Sequence, residues 1–170
     1  MPLRFDQESE YHFTTFNTYK NHHTLTYPGI PEILIEHLEI VRNKHKFLIF
    51  GFVVMPNHMH IIWYVPANKG ISNAVKHFKG SAGRHVVAHI FEKTDFNESL
   101  ITQPNGKRAL WQRGFYDFNL ITEKKMVEKL EYVHNNPVRW GLVQSPGDWA
   151  YSSYRSWYDL PGSLFEVDRF

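Results

Sequence analysis

The chain has 170 residues, 42% of them apolar and 21% charged, which is the composition of a soluble globular protein with enough length for one cored domain. It contains no cysteine, so disulfides, thiol nucleophiles and thiolate zinc sites are excluded. A formal net charge of +2, with eleven histidines counted neutral, permits a nucleic-acid partner without demanding one. Thirteen Phe, nine Tyr and five Trp lean toward a tightly packed sheet or toward stacking surfaces, without choosing between them. The first residues, MPLRFDQESEYHF, include acids and lack an apolar core, and no apolar run approaches the ~20 residues of a membrane span. A cytoplasmic protein with no membrane partner is expected.

In chain order, residues 11–20 (YHFTTFNTYK) alternate aromatic and polar side chains and read as a strand. Pro31 opens a helical pattern over 31–44, which ends in basic residues suited to the helix dipole. Residues 47–55 (FLIFGFVVM) form a buried-strand pattern, the Pro56–Asn57 pair a turn, and 58–65 (HMHIIWYV) the returning strand of a hairpin. A third element, 71–91, is helical and basic, with Lys76, Lys79 and Arg84 and no acid; Gly80 and Gly83 are candidate kinks. Residues 92–110 read as a polar loop and 111–121 as a short strand. A helix follows over 122–136, N-capped by Thr122 and closed before Pro137. From Arg139 the chain is aromatic and irregular, and the final GSLFEVDRF carries no pattern. This order predicts an α+β, ferredoxin-like α/β sandwich, with helices on one face of a central antiparallel sheet. One domain spanning 1–170 is expected, with its core at about 8–155 and the tail from 156 unplaced.

His58 and His60 stand two apart on the predicted strand, so both point to one face while Met59 points to the other. Their Cβ atoms lie roughly 7 Å apart, close enough to share one ion. Alone, the pair reads more readily as two half-buried or exposed histidines without a ligand; a third ligand reverses that preference. On the 122–136 helix, Met126, Leu130 and Val133 form the core stripe. Beside it run Lys125, Lys129, Tyr132 and Asn136, with Tyr132 and Asn136 one turn apart on the same face. A phenol needs cationic neighbours or a base to act as a nucleophile near neutral pH, and the lysines could supply that charge or hold a phosphate. Asn136 offers a carbonyl oxygen acceptable to a hard divalent ion beside two imidazoles. His134 is offset from this stripe. The same residues also read as a solvated lysine face with Tyr132 at its margin.

Taken together, PNHMHIIW resembles the histidine–hydrophobe–histidine (HUH) motif of single-tyrosine transposases. WQRGFYDF followed by EYVHNNPVRWGLV resembles the C-terminal half of their REP-associated branch. The likeness covers roughly residues 45 to 155. It implies a ferredoxin-like fold, His58, His60 and Asn136 as ligands of magnesium or manganese, and Tyr132 as the nucleophile. It also implies a substrate of single-stranded DNA beside a hairpin, cut through a 5′-phosphotyrosine. Lys76, Lys79, Arg84, Lys125 and Lys129 are the candidate DNA contacts, and Trp63, Trp111 and Phe115 are core residues or base-stacking platforms. Tyr116, near Arg113, is the rival nucleophile. The branch carries a glycine-containing motif near its N-terminus, and the corresponding ESEYHFTTFNT has no glycine. A non-cleaving hairpin binder and a replication-initiator-like nuclease are the competing classes. Some members of the family are dimers in which one subunit's tyrosine helix completes the other's site, so a homodimer and a monomer both remain open.

Overall fold

The computed structural model describes residues 10–92 and 95–170. Four strands, β1 (Tyr11–Asn17), β2 (Leu48–Val54), β3 (His58–Tyr64) and β4 (Tyr116–Asn119), form an antiparallel sheet in the order β2-β3-β1-β4. This is the predicted ferredoxin-like arrangement. The β2–β3 hairpin closes at Pro56–Asn57, where the Met55 amide donates to the His58 carbonyl over 2.8 Å. Helices α1 (Ile30–His45) and α2 (Ile71–Phe91) cover one face, packing Leu34, Leu38, Val75, Phe78 and Val86 on Phe16, Phe52, Ile61 and Trp63.

The expectation that helices lie on one face only is corrected by α3 (Glu123–Arg139), which covers the other. The strands are apolar on both sides: Phe13, Val53 and Ile62 point away from α1 and α2 and require a second cover, which Met126 and Val133 of α3 supply. A register shift in β2 between Ile49 and Gly51 lets this helix come close. A Cβ at Gly51 would stand 2.7 Å from Leu130 Cδ1, so the glycine clears space for α3.

Two further expectations change. Pro137 lies inside α3, since a proline in the last turn removes only one helical hydrogen bond, and the helix ends at Arg139, just ahead of the left-handed Gly141. Neither Gly80 nor Gly83 breaks α2; Gly83 instead accommodates the Trp111 ring, 3.5 Å from where its Cβ would be. Trp63 is fully buried and Trp111 is 9% exposed, so both are core residues, and Phe115 packs partly buried against them.

The irregular C-terminal segment runs along the free edge of β2. The Val54 amide donates to the Tyr151 carbonyl over 2.8 Å, and Asp168 exchanges hydrogen bonds with Ile49. Within it a short α4 (Tyr154–Trp157) packs Trp157 and Phe170 together, and Phe165 enters the core. An exposed edge is thereby covered. No helix among the described residues is long and apolar enough to cross a membrane.

Candidate active site

Strand parity sends His58 and His60 to the α3 face, with Met59 in the opposite core, as predicted. Their rings are 4.7 Å apart by centroid, and both are buried. His58 Nδ1 donates to the Asn57 side-chain oxygen over 2.7 Å, and His60 Nδ1 pairs with the Thr15 hydroxyl over 2.8 Å. The Asn57 oxygen holds the His58 proton on Nδ1 and leaves its Nε2 lone pair for a ligand, while His60 Nε2 meets the Asn136 amide. Burial holds both imidazoles neutral: the His58 pKa falls to about 4, and that of His60 to about 3, helped by the neighbouring His58 and Lys129. Thr15 and Asn57 were not singled out from the sequence. Thr15 comes from a different strand, and no spacing rule connects it to the pair; Asn57 was read only as part of a turn.

Helix α3 brings three of its four predicted stripe residues, Lys129, Tyr132 and Asn136, to the same place. Asn136 is 2% exposed, with Nδ2 3.2 Å from His60 Nε2, and its Oδ1 is buried with no hydrogen-bond partner. Tyr132 is half-buried, its ring 5.4 Å from that of His60 and edge-on to Phe13 at 6.0 Å. A cleft of about 420 Å³ is lined by His58, His60 and Tyr132 together with Thr15, Asn17, Asn21, Asn57 and Trp140. Lys129 Nζ lies 5.4 Å and Arg139 Cζ 5.2 Å from the Tyr132 ring centre, which brings positive charge to the cleft. Sequence reasoning missed Arg139 and Trp140, although both follow directly on the helix motif.

The remaining candidates are placed elsewhere. Lys125 leans away to pair with Glu128 at 2.8 Å. Lys79 donates to the carbonyls of Gln112 and Gly114, and burial draws its pKa down to about 8. Lys76 and Arg84 are exposed on α2, on the far face of the sheet. His134 turns from the cleft and binds the Ser153 hydroxyl over 2.9 Å. Tyr116 is 54% exposed at the start of β4 and does not line the cleft, although its ring meets Phe13 at 6.4 Å.

Among the described residues no three His, Cys, Asp or Glu side chains cluster as metal ligands. The orphaned Oδ1 of Asn136 fits as a third protein ligand to an ion at His58 and His60. A buried unpaired acceptor costs about 1–3 kcal/mol, and a cation at this point would relieve it. Rotation of the amide about its last torsion exchanges the oxygen and nitrogen positions next to His60 Nε2. Two imidazoles suit a divalent ion of intermediate hardness, and the carboxamide oxygen also accepts a harder one.

A ferredoxin-like sheet with paired histidines on an inner strand, facing a tyrosine on a packed helix, defines the class of the HUH single-tyrosine transposases. A family model described as IS200-like transposase matches residues 6–136, and the chain belongs to that family. A REP-associated tyrosine transposase of Escherichia coli is 25% identical over 129 residues, covering 75% of this chain and 66% of its own length. A Haemophilus influenzae relative is 26% identical over 125 residues, covering 73% of this chain and 67% of its own, so the chain spans about two thirds of each. The fold matches a solved REP-associated tyrosine transposase bound to a REP hairpin, with a TM-score of 0.65 and 21% identity over all of this chain and 90% of that one. A Deinococcus radiodurans structure matches with a TM-score of 0.54 and 17% identity, over 79% of this chain and 96% of that one.

Proposed function

We propose that this protein cuts and rejoins single-stranded DNA through a 5′-phosphotyrosine, with Tyr132 as the nucleophile and His58, His60 and Asn136 holding magnesium or manganese. What supports the reading above all is the meeting of two neutral imidazoles and a half-buried phenol in one cleft, with the buried Asn136 amide against His60. When bound there, a divalent ion supplies positive charge for the oxygens of the scissile phosphate. Lys129 and Arg139 add charge on the tyrosine side and draw the phosphodiester toward Tyr132. Phe13 and His60 hold the phenol ring in place for attack.

The Tyr132 oxygen bonds to phosphorus, and the bond from phosphorus to the 3′-oxygen breaks. The phenolic proton is lost and the departing 3′-oxygen gains one. One phosphodiester replaces another, so a second 3′-hydroxyl can reverse the step and join new ends without a nucleotide cofactor. The solved relative bound to a REP hairpin suggests a hairpin beside the cut. Lys76, Arg84, Lys125 and Lys129 are the proposed backbone contacts, with Lys79 held by the carbonyls of Gln112 and Gly114.

The test uses labelled hairpin single strands taken from sequence flanking the gene, with manganese or magnesium and a chelator control. Covalent adducts are read on a denaturing gel for the unmodified protein, Tyr132→Phe and Tyr116→Phe. A metal-dependent adduct lost only in Tyr132→Phe supports the proposal. Loss only in Tyr116→Phe overturns the nucleophile, and hairpin binding without any adduct makes the protein a non-cleaving binder.

A further inference from the structure

On the face of the sheet away from the histidines, α2 and residues 108–115 enclose a groove of about 740 Å³, within the ~300–1,000 Å³ typical of ligand sites. Its floor joins the partly buried Val87, Ala109 and Phe115 to the core residues Val75, Leu110 and Trp111. Lys76, Arg84 and Arg113 stand exposed on its rim, and none of the residues lining it is acidic. The groove is preformed. Lys79 clamps the loop to α2 through the carbonyls of Gln112 at 2.8 Å and Gly114 at 2.7 Å. Arg108 is fixed by Glu98 at 3.1 Å and by stacking on Phe91. Three exposed cations above an apolar floor complement a chain that is anionic along its backbone and carries flat, apolar groups. Single-stranded nucleic acid has that chemistry, whereas a duplex keeps its bases stacked inside.

The position of the groove narrows its occupant further. Groove and cleft meet at one edge of the sheet, on opposite faces. Asn17 lines the histidine cleft, and its carbonyl accepts from the amide of Gln112, 2.9 Å away on the groove loop. Thr18 pairs with Trp111 of the groove floor. Two consecutive aromatics then divide between the faces: Phe115 packs on the α2 side, while Tyr116 turns its exposed ring to Phe13 on the α3 side. Tyr116 is also the register partner of Thr15, whose hydroxyl holds His60.

We propose that the groove binds unpaired nucleotides of the same DNA strand that is cut in the cleft. The strand bends round the β4 edge past Tyr116, its bases lie on the apolar floor beside Phe115, and its phosphates meet Lys76, Arg84 and Arg113. This inference rests on the DNA-cleavage reading and adds a second binding site to it. Tyr116 becomes a stacking post on the path between the two sites.

The experiment uses the full chain carrying Tyr132→Phe, a fluorescent 20-nucleotide single strand with scattered 5-bromodeoxyuridine, and the matching blunt duplex. Anisotropy gives the affinities across a salt series, and ultraviolet cross-links are mapped by mass spectrometry. Preference for the single strand is expected, with cross-links in residues 108–116. Each lost phosphate contact lowers the log–log salt slope by about 0.7, so adding Lys76→Ala and Arg113→Ala should lower it by about 1.4 and weaken binding roughly tenfold. Both side chains are exposed and have no ion pair among the described residues, so these variants should fold. Cross-links confined to the cleft, an unmoved salt slope, equal duplex affinity, or equal displacement by polyglutamate would each overturn the groove. The cleavage chemistry is read separately with Tyr132 intact. Adduct formation without groove cross-links sinks only this inference, and groove cross-links without an adduct sink only the chemistry.

Discussion

Ser153→Ala tests how α3 is fastened to the sheet. The Ser153 hydroxyl is fully buried and serves three partners: the Phe52 amide at 2.9 Å, the Phe52 carbonyl at 3.3 Å and His134 Nε2 at 2.9 Å. The Phe52 carbonyl keeps a second donor, the Ser153 amide at 3.0 Å, so truncation orphans only the Phe52 amide and His134 Nε2. Each stranded buried group costs about 1–3 kcal/mol, and a total near 3 kcal/mol follows. For a chain of this size that lowers Tm by roughly 6–12 °C. Urea denaturation measures the free energy, provided unfolding is two-state. His134→Leu in the same background removes one of the orphans, so the double variant should be less destabilised than the sum of the two singles by about 1 kcal/mol or more. Additive singles, or a Ser153→Ala cost below about 1 kcal/mol, would refute the hydroxyl as the fastening point.

Gly51→Val should have a different effect, because a Cβ there meets Leu130 Cδ1 at 2.7 Å and pushes α3 outward. Overpacking of this kind costs about 1–3 kcal/mol, and adduct yield should fall further than melting predicts because Tyr132 and Asn136 ride on that helix. A variant with normal adduct yield would show that α3 need not sit so close. Acid sensitivity should come in part from His37, which is buried between α1 and α2 with Nε2 2.6 Å from His85 Nδ1 and Nδ1 2.9 Å from the Ser81 hydroxyl. Burial first, then the nearby His85 and Arg84, lowers its pKa against the opposing pull of Glu36. The unfolded chain therefore takes up a proton before the folded one. The stability from neutral His37 is complete above about pH 6.5 and is lost as pH falls through the depressed value. Urea midpoints at pH 7.5 and pH 5 should differ less in His37→Gln than in the unmodified protein.

Those parts of the site set by local periodicity were legible in the sequence. A two-residue strand repeat put His58 and His60 on one face, and a helical repeat put Tyr132 and Asn136 on another. The Thr122 cap was legible too, its hydroxyl accepting from the Lys125 amide over 3.2 Å. Three features were not. One amphipathic stripe on α3 cannot say which face of a sheet it covers, although Phe13, Val53 and Ile62 on the histidine side pointed to a second cover. The long-range hydrogen bonds that set the charge and tautomer of the histidines leave no spacing signature, as Thr15 shows across 45 residues. The tail pairs through irregular backbone, so Asp168 carries a role on β2 that no hydrophobic period announces.

That tail also constrains how two copies could associate. The outward backbone groups of β2 are already occupied: those of Ile49 by Asp168, the Phe52 carbonyl by Ser153, and the Val54 amide by Tyr151. Among the described residues, edge-to-edge pairing of sheets is therefore left to β4, which is four residues long and carries the exposed Tyr116. The β4 edge is also where the proposed DNA path turns from cleft to groove. A dimer formed by joining sheets at β4 and a strand bent round that edge exclude one another. A dimer able to bind DNA through both sites has to be built on the helices instead, where α3 already presents Tyr132 to the cleft of its own chain.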